Sequence, residues 1–193
     1  MKSICVYCGS ADGISPDFMA AARLTGLTLA QRGLALVYGG GCTGLMGAVA
    51  DGVLEASGEA VGIIVESMNT PELAHTRLTR LEVTATIHQR KARMYALADG
   101  YIALPGGYGT LDELFETLTW AQIGVHEKPV GLLNVNGYYN PLLQMLDRAM
   151  DEKFLFPEHR RSLLCDADSA RLLDLMREHQ HPHDAVKRWM RQG

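Results

Sequence analysis

The feature that most limits how this chain can fold is a regular alternation between short apolar runs and longer helical stretches. Continuous apolar runs are typical of strands that are covered on both faces of a sheet. Strands that alternate with helices predict a doubly wound parallel α/β sheet, with right-handed crossovers and helices on both faces. The predicted strands are Ser3–Cys8, Leu34–Tyr38, Ala60–Val65, Leu81–Thr84, Tyr101–Leu104, Pro129–Val135 and Leu163–Asp166.

The segments between these strands carry signals for the ends of helices. Ser15 and Pro16 begin the first predicted helix and Gly33 follows its end, because serine caps helices, proline suits their first position and glycine ends them. The other predicted helices span residues 44–57, 86–100, 110–124, 141–152 and 169–179. With no internal linker, the 193 residues predict one domain over residues 1–180 and a polar peripheral tail over residues 181–193.

Charge and composition exclude several classes of protein. The net charge of -4 and the isoelectric point of about 6.0 argue against a nucleic-acid or membrane-surface binder. The chain shows no signal-peptide pattern and no membrane-spanning apolar run, so we expect a cytoplasmic protein without a membrane partner. Cys5 and Cys8 form one CxxC pair with no second pair, and we interpret them as buried thiols rather than zinc ligands. We likewise interpret His179, His181 and His183 as part of a solvated tail.

A glycine-rich segment, Gly39–Gly47 (GGGCTGLMG), follows the second predicted strand. Three of its glycines match the dinucleotide pattern GxGxxG, and Glu66 follows at a suitable distance. That fingerprint belongs after the first strand of a sheet, however, so the match is weak. Glycines at this place can also serve only to pack a helix against a strand. We favour contact of this loop, including Gly40 and Gly41, with a phosphate or nucleotide.

A second glycine-rich segment, Pro105–Glu113 (PGGYGTLDE), follows the fifth predicted strand. Thr110 and Glu113 match the capping-box pattern T-x-x-E, which by itself would make Glu113 part of a helix cap. A capping box does not require three glycines before it. An anion bound at the helix N-terminus accounts for the glycines and the threonine together.

Two cations lie near the start of the third predicted helix. Arg90 and Lys91 come one turn after Thr86, which forms a second capping-box pattern with Gln89. Long cations can extend from an apolar face to solvent, but two of them at the carboxyl edge of a parallel sheet favour a bound anion. The helical face that carries them is otherwise apolar and contains Ile87, Met94, Leu97 and Ala98.

Glu72 lies in the loop after the third predicted strand, where an acid is ordinary at a helix start. Because ligands of an open parallel sheet bind beyond the carboxyl ends of its strands, both glycine loops, the Arg90–Lys91 pair and this carboxylate converge on one crevice. The glycines and cations would hold a phosphate, and the carboxylate would face a sugar or base. The sequence therefore predicts a site for a nucleoside phosphate.

Three motifs together resemble one family. GGGxxGLMG at Gly39–Gly47, HQRK at His88–Lys91 and PGGxGTxxE at Pro105–Glu113 are similar to the LOG family of cytokinin riboside 5′-monophosphate phosphoribohydrolases, many of which carry the label lysine decarboxylase. The similarity continues through Thr119–Tyr139. It implies a Rossmann-like fold and usually a homodimer, with larger assemblies in some members. The chemistry needs no metal, and we expect no cofactor. It also implies hydrolysis of the N-glycosidic bond of N6-modified adenosine 5′-monophosphates, and in some members of AMP, into a free base and ribose 5-phosphate.

The resemblance also assigns residues by motif. Arg90 and Glu113 look like the catalytic pair. A broken ribosyl C–N bond leaves positive charge on the sugar, which a fixed carboxylate stabilises directly or counters by activating water. Arg90 would orient the phosphate or the ribose. Met94 would approach the base. The positions that look like substrate contacts are Glu72, Lys91, Met94, Gly107, Tyr108, Gly109, Thr110, Leu111, Asp112 and Thr119.

Three other functions stay open at this level. Molybdenum-cofactor carriers have a related fold and similar glycine loops, but having both Arg90 and Glu113 favours a hydrolase. A dinucleotide oxidoreductase would need a hydride-transfer constellation that the sequence does not show. A decarboxylase would need a Schiff-base lysine, and Lys91 beside Arg90 suits a phosphate better. One segment departs from the family, because many relatives have a proline and a basic residue where this chain has Ile64–Ser67.

Overall fold

A computed structural model describes residues 1–182 and shows one seven-stranded sheet in the order β4-β3-β2-β1-β5-β6-β7. Every neighbouring pair of strands is parallel. All seven predicted strands and the doubly wound α/β fold are confirmed. The strands are β1 (Ser3–Tyr7), β2 (Ala35–Tyr38), β3 (Ala60–Val65), β4 (Arg80–Thr84), β5 (Tyr101–Ala103), β6 (Val130–Leu133) and β7 (Leu163–Asp166).

Helices connect most successive strands, while a 3-10 turn and a loop link β3 to β4, and the helix bounds follow the predicted ones within a few residues. The helices are α1 (Pro16–Gln31), α2 (Gly44–Glu55), α3 (Ile87–Leu97), α4 (Tyr108–Gln122), α5 (Asn140–Asp151), α6 (Pro157–Ser162) and α7 (Ser169–Glu178), with 3-10 turns at Glu66–Met68 and Val135–Gly137. The short α6 was not predicted, because its sequence PEHRRS has no apolar periodicity.

Two helical layers enclose the sheet. On one face α1, α2 and α7 contribute Leu29, Val49 and Leu172 to one apolar core, and on the other α3 and α4 contribute Met94 and Leu114 to a second. These side chains are almost fully buried. Because both faces of the sheet are covered, its inner strands are apolar along their whole length, as the sequence pattern indicates.

The strand order places a topological switch point between β1 and β5. Strands β2, β3 and β4 extend the sheet on one side of β1, and β5, β6 and β7 extend it on the other. At the carboxyl ends of the two central strands, Gly9 N donates to Pro105 O at 3.0 Å. Helix α4 begins directly after this contact. An open α/β sheet binds its ligands in the crevice at such a point.

Within residues 1–182, no helix combines the length and the apolar character needed to cross a membrane. The predicted peripheral tail, including His183, lies outside the described residues except for His181 and Pro182. The division into a domain and a tail stays a prediction.

Candidate functional site

Helix α3 begins with the predicted cap and directs a cation inward. Thr86 Oγ1 accepts from Gln89 N at 3.2 Å, and Gln89 Oε1 accepts from Ala85 N at 3.1 Å. These bonds fix the first turn of α3 and confirm the capping pattern. Arg90 therefore lies one turn into the helix, on the side that packs against β3.

Arg90 and Glu113 form an ion pair at the carboxyl edge of the sheet. Arg90 Nη1 donates to Glu113 Oε1 at 3.1 Å, and Arg90 Nε donates to Ile63 O at 2.9 Å. Only 14% and 12% of the two side chains are exposed. Burial raises the pKa of Glu113, and the Arg90 charge opposes that rise only in part. The pair thus combines a fixed cation with a carboxylate that is poorly solvated, which is typical of functional sites.

Gly39, the first residue of the predicted phosphate loop, makes room for this arginine. A Cβ atom built at Gly39 would overlap Arg90 Nη2 and would lie 2.5 Å from Met46 Cε. The guanidinium group therefore occupies a seat formed by Gly39, Ile63 O and the Glu113 carboxylate. At this position glycine serves the arginine by leaving space for it.

We expect Gly39→Ala to lower the kcat of the N-glycosidic hydrolysis predicted from the sequence by roughly tenfold to a hundredfold, with little loss of stability. The reason is that the added methyl group displaces Arg90 from Glu113. The atoms that must move, Arg90 Nη2 and Met46 Cε, are the ends of flexible side chains, so the fold should accommodate the change. Steady-state kinetics and the melting temperature check both parts. A variant with wild-type kcat would show that the seat does not fix the position of Arg90.

Helix α4 begins earlier than predicted, and the predicted cap at Thr110 is wrong. Its first residue is Tyr108, its N-cap is Gly107, and no side chain caps it. Thr110 is buried inside the first turn, where a Cβ atom at Gly106 would overlap its hydroxyl oxygen. Gly107 has the non-helical backbone of an N-cap, so the helix begins at Tyr108 without a side-chain cap. Glu113 is therefore not a cap, and its carboxylate is available to Arg90.

The N-terminus of α4 is open. A Cβ atom built at Gly107 or Gly109 would meet nothing within 4 Å in the described part of the chain. The first N–H groups of a helix have no acceptor inside it, and here no side chain supplies one. Tyr108 is 94% exposed, so this turn presents backbone rather than side chain to the crevice. Such a turn favours an anion.

Lys91 does not lie free beside Arg90. Its Nζ atom contacts Asp112 Oδ2 and Glu116 Oε1, both at 3.0 Å. Burial acts to lower the pKa of Lys91, but the two carboxylates outweigh it and the net shift is upward. A lysine held in its charged form is a poor Schiff-base nucleophile, which argues against decarboxylase chemistry at this residue. Asp112 itself is mostly exposed.

The structure brings Lys91, Met94 and Glu113 to one small crevice between α3 and α4. Met94 is fully buried there. Tyr7 and Thr117 line the same crevice and were missed in the sequence. Their side-chain oxygens are 3.0 Å apart, and Thr117 Oγ1 donates to Glu113 O at 2.8 Å. These hydrogen bonds connect β1 to the part of α4 that carries Glu113. The only sequence signal for Tyr7 is its place at the end of the first strand.

Gly40, Gly41 and Glu72 meet each other outside that crevice. His75 N donates to Gly40 O and Cys42 N donates to Leu73 O, both at 2.9 Å, so the loop around Glu72 pairs with the glycine loop. Glu72 is exposed, and a hydrogen bond from the Thr70 side chain lowers its pKa. Gly39 is the residue of this glycine loop that lies directly against the Arg90 guanidinium group.

The remaining residues that were predicted to contact the substrate lie in the core or at other surfaces. Leu111 packs into the core beneath α3 and α4. Thr119 donates to Phe115 O at 2.7 Å and lines a separate, largely apolar cavity of about 130 Å³. Glu66, which stands where relatives often have a basic residue, is exposed at the start of a 3-10 turn.

The cysteines show no sign of a metal site. Burial raises the pKa of both the Cys5 and Cys8 thiols, and in the described residues all four cysteines are unpaired. No group of three or more His, Cys, Asp or Glu residues within residues 1–182 is placed to hold a metal ion. Cys5 is buried in the core as predicted, Cys8 is half-buried against it, and Cys42 is exposed.

Comparison with known proteins shows which sequences this chain is similar to. Residues 46–176 match the family described as possible lysine decarboxylase. A cytokinin riboside 5′-monophosphate phosphoribohydrolase of Arabidopsis thaliana is 44% identical over 185 residues, 96% of this chain and 85% of that protein. One of Oryza sativa subsp. japonica is 45% identical over 185 residues, 96% of this chain and 76% of that protein.

A solved structure supports the same fold. The molybdenum cofactor binding protein from the phototrophic bacterium Rippkaea orientalis has a TM-score of 0.69 and 23% identity, with 92% of this chain and 97% of that chain covered. A likeness at this identity concerns the fold alone, because one fold supports many functions.

Proposed function

This chain belongs to the LOG family, and on that premise we propose that it hydrolyses the N-glycosidic bond of N6-modified adenosine 5′-monophosphates. The products are the free base and ribose 5-phosphate. Sequence relatives across nearly the whole chain are named for this activity. The proposal makes the protein an N-glycosyl hydrolase.

The buried Arg90–Glu113 pair beside the open N-terminus of α4 is the observation that carries this proposal. The helix offers N–H groups to a phosphate at one end of the crevice. One turn further along α4, Glu113 presents its carboxylate to whatever the phosphate holds in place. A nucleoside monophosphate matches that order of groups, since its ribose lies between its phosphate and its base.

The chemistry follows from the positions of these charges. Cleavage of the ribosyl C–N bond develops positive charge on the ribose. Glu113 is poorly solvated, so its interaction with that charge is stronger than it would be in water. The carboxylate lowers the barrier either by contacting the ribosyl cation or by activating the attacking water. Arg90 fixes the carboxylate and helps to orient the phosphorylated ribose.

The carrier function receives less support. Its structural relatives are less than 25% identical to this chain, whereas the relatives above 40% identity are named as hydrolases. A carrier has no requirement for a poorly solvated carboxylate paired with arginine. A wild-type protein that binds AMP but releases no base from any monophosphate would favour the carrier.

We expect the 5′-phosphate to be essential for turnover, because within residues 1–182 no side chain caps the N-terminus of α4 and its first N–H groups can bind an anion. The test compares isopentenyladenosine monophosphate, AMP and unphosphorylated isopentenyladenosine, with chromatography to quantify the released base. The nucleoside should be cleaved with a catalytic efficiency at least about 100-fold lower than its monophosphate, since charge-assisted hydrogen bonds contribute about 1.5–3 kcal/mol each. Equal efficiencies would contradict the phosphate site.

The same comparison addresses AMP, which we propose as a second substrate because Glu113 and the α4 turn act on the ribose phosphate common to both nucleotides. A wild-type enzyme that releases isopentenyladenine but no adenine would limit the activity to N6-modified substrates.

We also propose a homodimer and a cytoplasmic location. Large apolar side chains are exposed near α4 and α5, with Met145 at 65% and Phe154 at 86%, and their burial by a second copy would be favourable. Light scattering that gives twice the 21.1 kDa chain mass would support the dimer, and a monomer would contradict it. The four free cysteines suit a reducing compartment, and imaging of a tagged protein tests the location.

A further inference from the structure

In the loop before α4, every backbone carbonyl group accepts a hydrogen bond from the protein. Residues 104–107 form this loop, and each of their four carbonyl oxygens accepts a hydrogen bond. The donors, in chain order, are Tyr139 Oη at 2.6 Å, Gly9 N at 3.0 Å, Tyr138 Oη at 2.7 Å and Leu111 N at 3.0 Å. Two neighbouring tyrosines after β6 thus hold two carbonyls of the loop.

Only one of these two tyrosines binds a carbonyl group whose peptide also carries an N–H donor. In a trans peptide the C=O of one residue and the N–H of the next point in opposite directions. The bond from Tyr138 to Gly106 O therefore directs the N–H of Gly107 away from the Tyr138 hydroxyl. The carbonyl held by Tyr139 precedes Pro105, which has no N–H to direct.

This restraint matters because glycine does not hold its own conformation. Gly106 and Gly107 lack side chains, so their own backbone torsions are only weakly restricted. Gly106 packs closely against Thr110 and Gly9, whereas a Cβ atom built at Gly107 would meet nothing within 4 Å in the described residues. The Tyr138 hydroxyl holds the orientation of this peptide plane from outside the loop.

Tyr138 is itself held in place. Its ring makes edge contacts with Phe18 at 5.9 Å and Tyr139 at 5.0 Å between ring centres. The preceding turn has left-handed backbone at Asn136 (φ 50) and Gly137 (φ 71), and Asn136 Nδ2 donates to Asp17 Oδ2 at 3.0 Å. The turn therefore places the hydroxyl of this partly exposed tyrosine within hydrogen-bond distance of the glycine loop.

We propose that Tyr138 is a positioning residue for phosphate binding, acting through the Gly107 amide. The inference rests on the proposed function, because it assigns the α4 turn to the 5′-phosphate. Tyr138 does not touch the reacting bond. Its role is to keep one N–H donor directed at the phosphate before the substrate arrives, which reduces the entropy lost on binding.

The test compares Tyr138→Phe with its neighbour Tyr139→Phe. Calorimetry measures the affinity of each protein for ribose 5-phosphate and for the free base isopentenyladenine, and kinetics gives KM and kcat for isopentenyladenosine monophosphate. Tyr138→Phe should weaken ribose 5-phosphate binding and raise KM by roughly tenfold, the value of one such hydrogen bond. Its affinity for the free base should stay at the wild-type value.

Tyr139→Phe is the matched control. It removes the same hydroxyl from an adjacent, buried tyrosine and leaves Leu104 O without its donor, so its melting temperature should fall. Its affinity for ribose 5-phosphate should match the wild type, because no N–H follows that carbonyl. An equal loss of phosphate affinity in both variants would overturn the proposal, since it would indicate general damage to the loop.

Two further outcomes separate this inference from the proposed function. Unchanged ribose 5-phosphate affinity in Tyr138→Phe would overturn the positioning role, while base release by the wild type would leave the hydrolase intact. A wild type that binds ribose 5-phosphate but releases no base would overturn the hydrolase, and the two tyrosine variants would still decide the positioning role.

Discussion

Replacement of Arg90 by alanine is expected to lower kcat for base release by about 100-fold or more, because it removes the cation that fixes Glu113 and orients the phosphorylated ribose. The affinity for AMP should fall much less, since the N-terminus of α4 stays in place. Turnover of isopentenyladenosine monophosphate and direct binding of AMP measure the two effects separately. A pure binding protein has no turnover to lose.

Arg90→Lys should also be clearly impaired. Lysine keeps the charge but lacks the planar fork that reaches Ile63 O and Glu113 at once. A kinetic profile equal to that of the wild type would show that charge alone is sufficient at this position.

Helix α3 offers a matched control for both variants. Arg93 lies almost one turn beyond Arg90 and binds Glu82 through two hydrogen bonds, of 2.6 and 3.0 Å, on the outer side of the helix. Arg93→Ala therefore removes an arginine–glutamate pair from the same helix without touching the crevice, and it should keep near wild-type kcat. Equal losses in Arg90→Ala and Arg93→Ala would indicate damage to α3 rather than loss of a catalytic group. A folded, fully active Arg90→Ala would remove Arg90 from the mechanism.

The second large effect is expected from Glu113→Gln, which should reduce base release by roughly 100-fold to 10,000-fold, the range for loss of a catalytic acid or base. Glutamine keeps the shape of the side chain and an oxygen that accepts from Arg90 Nη1, so the protein should stay folded. AMP binding should change by no more than a few-fold. Glu82→Gln, which alters the pair between Glu82 on β4 and Arg93 on α3, is the control.

The pH dependence gives an independent check on Glu113. Burial raises the pKa of Glu113 above its ordinary value of 4.5. Below that raised pKa the carboxylate is protonated and can neither stabilise the ribosyl cation nor activate water, so kcat/KM should fall as pH falls through it. Arg90→Lys retains a cation nearby, whereas Arg90→Ala removes it and should move this acid limb to higher pH. A near wild-type rate in Glu113→Gln would show that the carboxylate has only a structural role.

The sequence determined the fold because periodicity and helix-end signals are local properties. Continuous apolar runs indicated inner strands covered on both faces, and the segments between strands specified the helices, whereas the edge strand β4 contains Arg80 and Glu82 and is partly exposed. The Thr86 cap and the position of Gly33 after α1 were likewise predictable, since each depends on a few consecutive residues. The motifs also sufficed to identify the family and to single out Arg90 and Glu113.

Tertiary structure alone decided what these residues contact. The T-x-x-E pattern at Thr110 suggested a cap, yet α4 starts two residues earlier and Glu113 pairs with an arginine from another helix. Gly39 makes space for that arginine, which no local pattern can show because the two residues are far apart in the chain. The hold of Tyr138 on the glycine loop also spans distant segments. Local propensities determine the helices and strands. The contacts that position the site residues depend on which helices, strands and loops the sheet topology brings together.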